Sequence, residues 1–148
     1  MNIGFVVNNL SNSEQNYELL KLISSMNDKS NKAVPYIFFQ NMFPPVGEPN
    51  CLAMNILGLS NFQGKLVAFG IDSAQTVAQN NSPTENWIFL WDIPWLTTPM
   101  NYAACIDLLN KFNILVRSES HKAILENFIP NKKVTVVKDM EDLVQCLT

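Results

Sequence analysis

The three tryptophans of this chain fall within nine residues, Trp87-Ile88-Phe89-Leu90-Trp91-Asp92-Ile93-Pro94-Trp95, with one carboxylate, Asp92, among them. A tryptophan beside a carboxylate suits a sugar face or a peptide partner, because the ring offers a flat apolar surface next to an acceptor of hydrogen bonds. The plainer alternative is a buried strand running into a turn. Asp92 would then accept backbone N–H bonds, Pro94 would fix the bend and Trp95 would lid the core. The period of two separates the stretch. Ile88 and Leu90 should face one layer of helices, and Trp87, Phe89 and Trp91 the other. Asp92 and Trp95 fall past the strand, so they are the candidates for ligand contact.

Three other stretches carry polar groups at useful places. Asn8, Asn9 and Ser11 follow an apolar run and precede a helical pattern. Their amides and hydroxyls could present donors to a sugar or phosphate at a helix N-terminus, or simply form a solvated turn with Ser11 or Ser13 as a cap. Asp72 and Ser73 follow Gly70 and read as N-cap residues; capping and the helix dipole account for them without a ligand. Ser118, Glu119 and Ser120 precede His121, the one histidine. That cluster has the residue types of a catalytic group, and equally the chemistry of a helix start.

Familiar catalytic patterns are missing. The first loop has no glycine, so GxGxxG is missing and a dinucleotide cofactor is disfavoured; GxxxxGK[ST] is absent too, which excludes a P-loop nucleotidase. Val116-Arg117-Ser118-Glu119-Ser120 lacks the glycines of a nucleophile elbow. A phosphoacceptor site of the receiver type would want an acidic pair where Asn8-Asn9 stands and a lysine where Arg117 stands. A single histidine and three scattered cysteines, Cys51, Cys105 and Cys146, give neither a zinc site nor a disulfide framework. Cys105 and Cys146 should be core thiols. No residue is assigned a catalytic role, no cofactor is expected and no metal.

Composition narrows the partners. Charged residues make up 16% and apolar residues 47% of 148, with net charge −3. That content suits one globular domain spanning 1–148, with a core and a thin charge coat. No basic cluster exists, so nucleic acid is disfavoured. The N-terminus lacks a signal peptide and no apolar run approaches the ~20 residues of a membrane span, so a cytoplasmic protein away from membranes is expected.

Strands are expected at 3–7, 34–40, 65–70, 87–91, 114–117 and 134–137, and Pro35 fits the start of the second. Helices are expected from a cap at Ser11 or Ser13 to near Asn27, and over 51–57, 72–78, 102–111, 120–128 and 140–147, with Asp139 capping the last. Strands alternating with helices give a single doubly wound, mainly parallel sheet of about five or six strands, an α/β fold of Rossmann-like type. In such folds ligands sit beyond the carboxyl ends of the strands, near the point where strand order reverses. That rule singles out the loops at 8–13, 40–48, 70–73, 92–98 and 118–121.

The stretch ILVRSESHKAILENF, with the later KKVTVV, resembles one family. Val116, Ser118, Glu119, Lys122, Leu125, Val134, Val136 and Val137 match the end of the N-terminal, acceptor-side domain of glycosyltransferases built from two Rossmann-like domains. The opening NIGFVVNNLSNSEQNYELLKLI is similar to that family's first strand, loop and helix. Ser11-Asn12-Ser13 stands where the family usually has a glycine-rich turn, and the donor-binding second domain has no counterpart. The resemblance therefore implies a Rossmann-like module that does not transfer sugars alone. Two functions are compatible with it. One is a protein-contact module, as a homodimer or with another protein, suggested by the thin charge coat and the loop Phe43-Pro44-Pro45-Val46. The other is an enzyme or enzyme subunit binding a sugar or nucleotide sugar.

Overall fold

The computed structural model describes residues 1–28, 33–43, 47–80, 85–97 and 101–148. They form one seven-stranded sheet, every neighbouring pair parallel. Its strands are β1 (Asn2–Leu10), β2 (Val34–Met42), β3 (Leu52–Asn55), β4 (Lys65–Phe69), β5 (Glu85–Leu90), β6 (Asn113–Val116) and β7 (Val134–Val136). The order across the sheet is β3-β2-β1-β4-β5-β6-β7. The chain starts near the middle, builds outward one way, then returns to β4 and builds the other way. The reversal lies between β1 and β4, which is the doubly wound arrangement expected of the Rossmann-like class.

The strands read as continuous apolar runs because both faces are covered. Along β1, Ile3, Phe5 and Val7 pack beneath α1 (Glu14–Asp28) and α6 (Met140–Leu147), with Leu19, Leu22, Ile23, Leu143 and Leu147. Val6 points to the opposite layer. That layer holds α2 (Ile71–Gln79), α4 (Tyr102–Leu109) and α5 (Glu119–Phe128), through Ala74, Val77, Leu108, Leu109 and Leu125. The short α3 (Pro94–Thr97) follows β5. The alternation expected in the tryptophan stretch holds: Ile88 and Leu90 belong to one core, while Phe89, Trp87 and Trp91 pack with the other.

Two expectations are corrected. Residues 51–57 do not form a helix. Leu52–Asn55 is strand β3, paired with Tyr36 to Phe39 of β2, and a 3₁₀ turn, Ile56–Asn61, follows it. Ala, Leu and Met are good helix formers, but their propensities are worth only tenths of a kcal/mol per residue, and an open strand edge on β2 outweighs them. This added strand raises the count to seven. Asp72 and Ser73 are not caps either. The helix begins at Ile71, with Gly70 in the cap position at φ 90° and no side-chain capping bond. Residues 44–46 of the proline-rich loop lie outside the described residues.

No helix among the described residues is long and apolar enough to cross a membrane.

Candidate functional site

The carboxyl ends of β1 and β4 are adjacent only because the strand order reverses between them, and a cleft of about 240 Å³ opens there. Asn8, Asn9, Ser11, Ser13, Gln15 and Asn16 line one side of it. Gly70, Asp72 and Ser73 line the other. Of the expected site residues, Asn8, Asn9, Ser11 and Asp72 are therefore brought together, from two loops far apart in the chain.

A hydrogen-bond lattice holds this lining in shape. Asn16 is 7% exposed, and both protons of its amide are used: Nδ2 donates to the carbonyls of Asn9 and Ser11, each at 3.0 Å. Ser13 Oγ accepts from the Asn16 N–H at 3.2 Å, so Ser13 rather than Ser11 caps α1. Asn9 Oδ1 accepts from Asn41 Nδ2 at 3.1 Å. Across the cleft, Ser73 is 2% exposed and its Oγ accepts from the Asn8 N–H at 3.2 Å, which joins β1 to α2. Thr76 Oγ1 lies 3.3 Å from Asn8 Oδ1 and 3.2 Å from the Asp72 carbonyl. The two asparagines are thus partly spent on architecture.

Gln15 is not. Its Nε2 is buried and has no partner. A buried donor left unpaired costs about 1–3 kcal/mol, so an acceptor brought to it is stabilising. The sequence reading missed Gln15, Ser13, Asn16, Gly70 and Ser73 as site residues, although all but Gln15 and Asn16 lie inside loops it had singled out. Gln15 carries no motif. Its only legible signal is its place in the first helical turn after a strand, where side chains reach the carboxyl edge of the sheet.

Charge in the cleft is sparse and negative. Among the described residues lining it, Asp72 is the one ionisable side chain. Asp72 occupies the first turn of α2 and Glu14 the first turn of α1. Each carboxylate answers its own helix dipole, a gain of about 0.3–1 kcal/mol. An incoming anion at ~5 Å from such a carboxylate would be repelled by roughly 1–3 kcal/mol, which exceeds the dipole's attraction. The site accordingly favours neutral polar groups over phosphate.

The remaining candidates sit at the ends of β5 and β6 and do not line this cleft. Asp92 accepts from Arg117 Nη2 at 2.8 Å, and the Arg117 guanidinium lies 4.7 Å from the Trp91 ring centroid. Ser118 caps α5: its Oγ accepts from the His121 N–H at 3.2 Å and lies 3.0 Å from Ser120 Oγ. Glu119 stands exposed in the first turn of that helix, and His121 Nδ1 is buried without a partner. Trp95 does not stand with Asp92 as a sugar platform. It packs on the core and meets Tyr102 and Phe128 edge to face, with ring centroids 5.5 and 5.2 Å away.

The thiols are shielded rather than activated. Burial pushes Cys51 up to about 11 from 9.0, against a smaller opposing effect of a backbone hydrogen bond at Ile37. Burial also raises Cys105. Cys105 is buried as expected, while Cys146 is only half-buried beside the α1/α6 core.

Compared with known protein families and with curated proteins, the chain matches none.

Proposed function

We propose that this chain is a Rossmann-type module that holds a neutral, polyhydroxylated ligand, a sugar or the sugar part of a nucleotide sugar, in the cleft between β1 and β4, without catalysing a reaction alone. The observation that carries this reading is the unpaired, buried Gln15 Nε2 in a cleft whose other polar side chains are amides, hydroxyls and the single carboxylate of Asp72. A sugar hydroxyl or ring oxygen supplies the acceptor that donor lacks, and its other hydroxyls can hydrogen-bond with Asn8 and Ser11 and donate to the Asp72 carboxylate. The cleft is smaller than the ~300–1,000 Å³ pockets that enclose drug-sized ligands, which fits one sugar ring better than a whole dinucleotide. The Asp72 carboxylate can accept a proton but has no second ionisable side chain beside it among the described residues lining the cleft, and glycosyl transfer or hydrolysis by paired acid–base chemistry draws on two such groups. The resemblance to the acceptor-side domain of two-domain glycosyltransferases agrees with a sugar ligand.

The test is a thermal-shift and calorimetric screen of neutral monosaccharides, nucleotide sugars and inorganic phosphate. A ligand that binds the native state raises its stability by mass action. Stabilisation by a sugar, lost in Gln15→Leu and absent with phosphate, is the expected result. Stabilisation by phosphate alone, or by nothing at millimolar concentration, rejects the reading.

A further inference from the structure

The two edges of the sheet are built differently. At one edge β7 is three residues long, lies between Lys132-Lys133 and Lys138, and is packed by α5. Short length, flanking lysines and a covering helix are the devices that keep a sheet edge from pairing. At the other edge β3 pairs, among the described residues, with β2 on one side only, and all four of its residues are exposed. Leu52 is 57% exposed, Met54 41%, and Leu57 in the following turn 81%. No residue of β3 is charged, and residues 33–64 contain a single charge, Glu48.

We propose that β3 is a homodimer interface, at which two copies pair edge to edge, antiparallel, about a two-fold axis perpendicular to the sheet. The unpaired N–H and C=O groups of an edge strand are complementary to another strand and to little else. The absence of charge selects the occupant. An acidic or basic partner finds no charge on β3 to complement, and only Glu48 across residues 33–64, whereas an isologous contact sets the same surface against itself and meets no like-charge repulsion where that surface is uncharged. Such an axis keeps every side chain on its own face of the sheet. With Ala53 on the axis, Leu52 of each copy stands opposite Met54 of the other. These are two apolar cross-strand pairs, each worth about 0.2–1 kcal/mol. The strip continues into Leu57 and into an adjoining pocket of about 300 Å³ lined by Tyr36, Phe38, Met54 and Phe62. The interface is far in the sheet order from the β4 side of the cleft and does not depend on what the cleft binds.

Sedimentation equilibrium and light scattering on the full chain test the proposal. The chain should be a dimer, and Ala53→Lys, which sets two ammonium groups across the axis, should weaken it about tenfold or more. Leu57→Lys, at a position open to solvent, should also weaken it, and neither variant should change the far-UV spectrum. Thr135→Lys on the β7 edge should leave the dimer unchanged. Opposed antiparallel residues stand ~4.5–5.5 Å apart at Cα, within disulfide reach, so Ala53→Cys in a Cys51→Ser background should oxidise to a covalent dimer. A wild-type monomer at every concentration overturns the proposal. So does a dimer that survives both lysine substitutions in β3 and Leu57 or dissociates with Thr135→Lys.

Discussion

Arg117 donates to Asp92 at 2.8 Å, and this bond ties the end of β6 to the end of β5 directly over the Trp91 ring. The two side chains are 41% and 47% exposed, so water competes for both. Exposed pairs contribute about 0–1 kcal/mol. Asp92→Asn should therefore lower stability by less than ~1 kcal/mol in urea unfolding. Arg117→Ala should cost more, by roughly another 0.5–1 kcal/mol, because it also removes the cation from the indole face. If Asp92→Asn proved the costlier of the two, the guanidinium–indole contact would not be contributing.

Gln15→Leu should separate binding from folding. Removing a buried donor that has no partner leaves the ligand-free protein as stable as before, or steadier by about 1 kcal/mol. Affinity for the sugar should fall about tenfold, ~1.4 kcal/mol. Unfolding curves and calorimetry on the same samples give the two values. A variant that loses stability while keeping affinity would assign Gln15 to the scaffold.

Gly70→Ala should lower stability by about 1–2 kcal/mol, since a side chain at φ 90° is strained even though a Cβ there meets no atom within 4 Å. Gly70 also turns the chain from β4 into α2, with its N–H on the Phe89 carbonyl at 3.1 Å. The variant should accordingly weaken ligand binding as well as folding, as calorimetry would report. An unchanged unfolding midpoint would mean that the backbone relaxes freely at this turn.

Cys51 gives a pH signature. Its folded-state pKa is about 11 against 9.0. Between those values the unfolded chain has released the proton and the folded chain still holds it, so stability is intact below pH ~9 and declines as pH rises toward ~11. Alkylation of Cys51 by iodoacetamide, followed by peptide mass spectrometry, should show a rate midpoint near 11 in native protein, because the thiolate is the reacting form. A midpoint near 9 would mean that the thiol is open to water.

The strands were legible because burial on both faces writes unbroken apolar runs such as Ile3 to Val7, and the facing of Ile88, Leu90 and Phe89 followed from the period of two alone. Asp139 as a helix cap was legible too, since capping is a local contact of one side chain with the next turn; its carboxylate accepts from the Asp142 N–H three residues on. Residues 52–55 were not, because their own propensity points to helix and only the free edge of β2 makes them a strand. Gly70 was passed over as a cap because Asp72 and Ser73 are chemically better ones, yet the helix begins at Ile71, one residue earlier than expected.

By itself the sequence determined a parallel α/β domain with alternating layers, a thin charge coat and five loops where a ligand could sit. Tertiary structure alone decided which of those loops meet. Asn8, Asn9 and Ser11 join Asp72 in one cleft because β1 and β4 are neighbours in the sheet, and Asp92 and Trp95 part because one turns to Arg117 and the other to Tyr102 and Phe128. Local periodicity records what each segment buries, but strand order is set by non-local pairing, and no single segment carries that information.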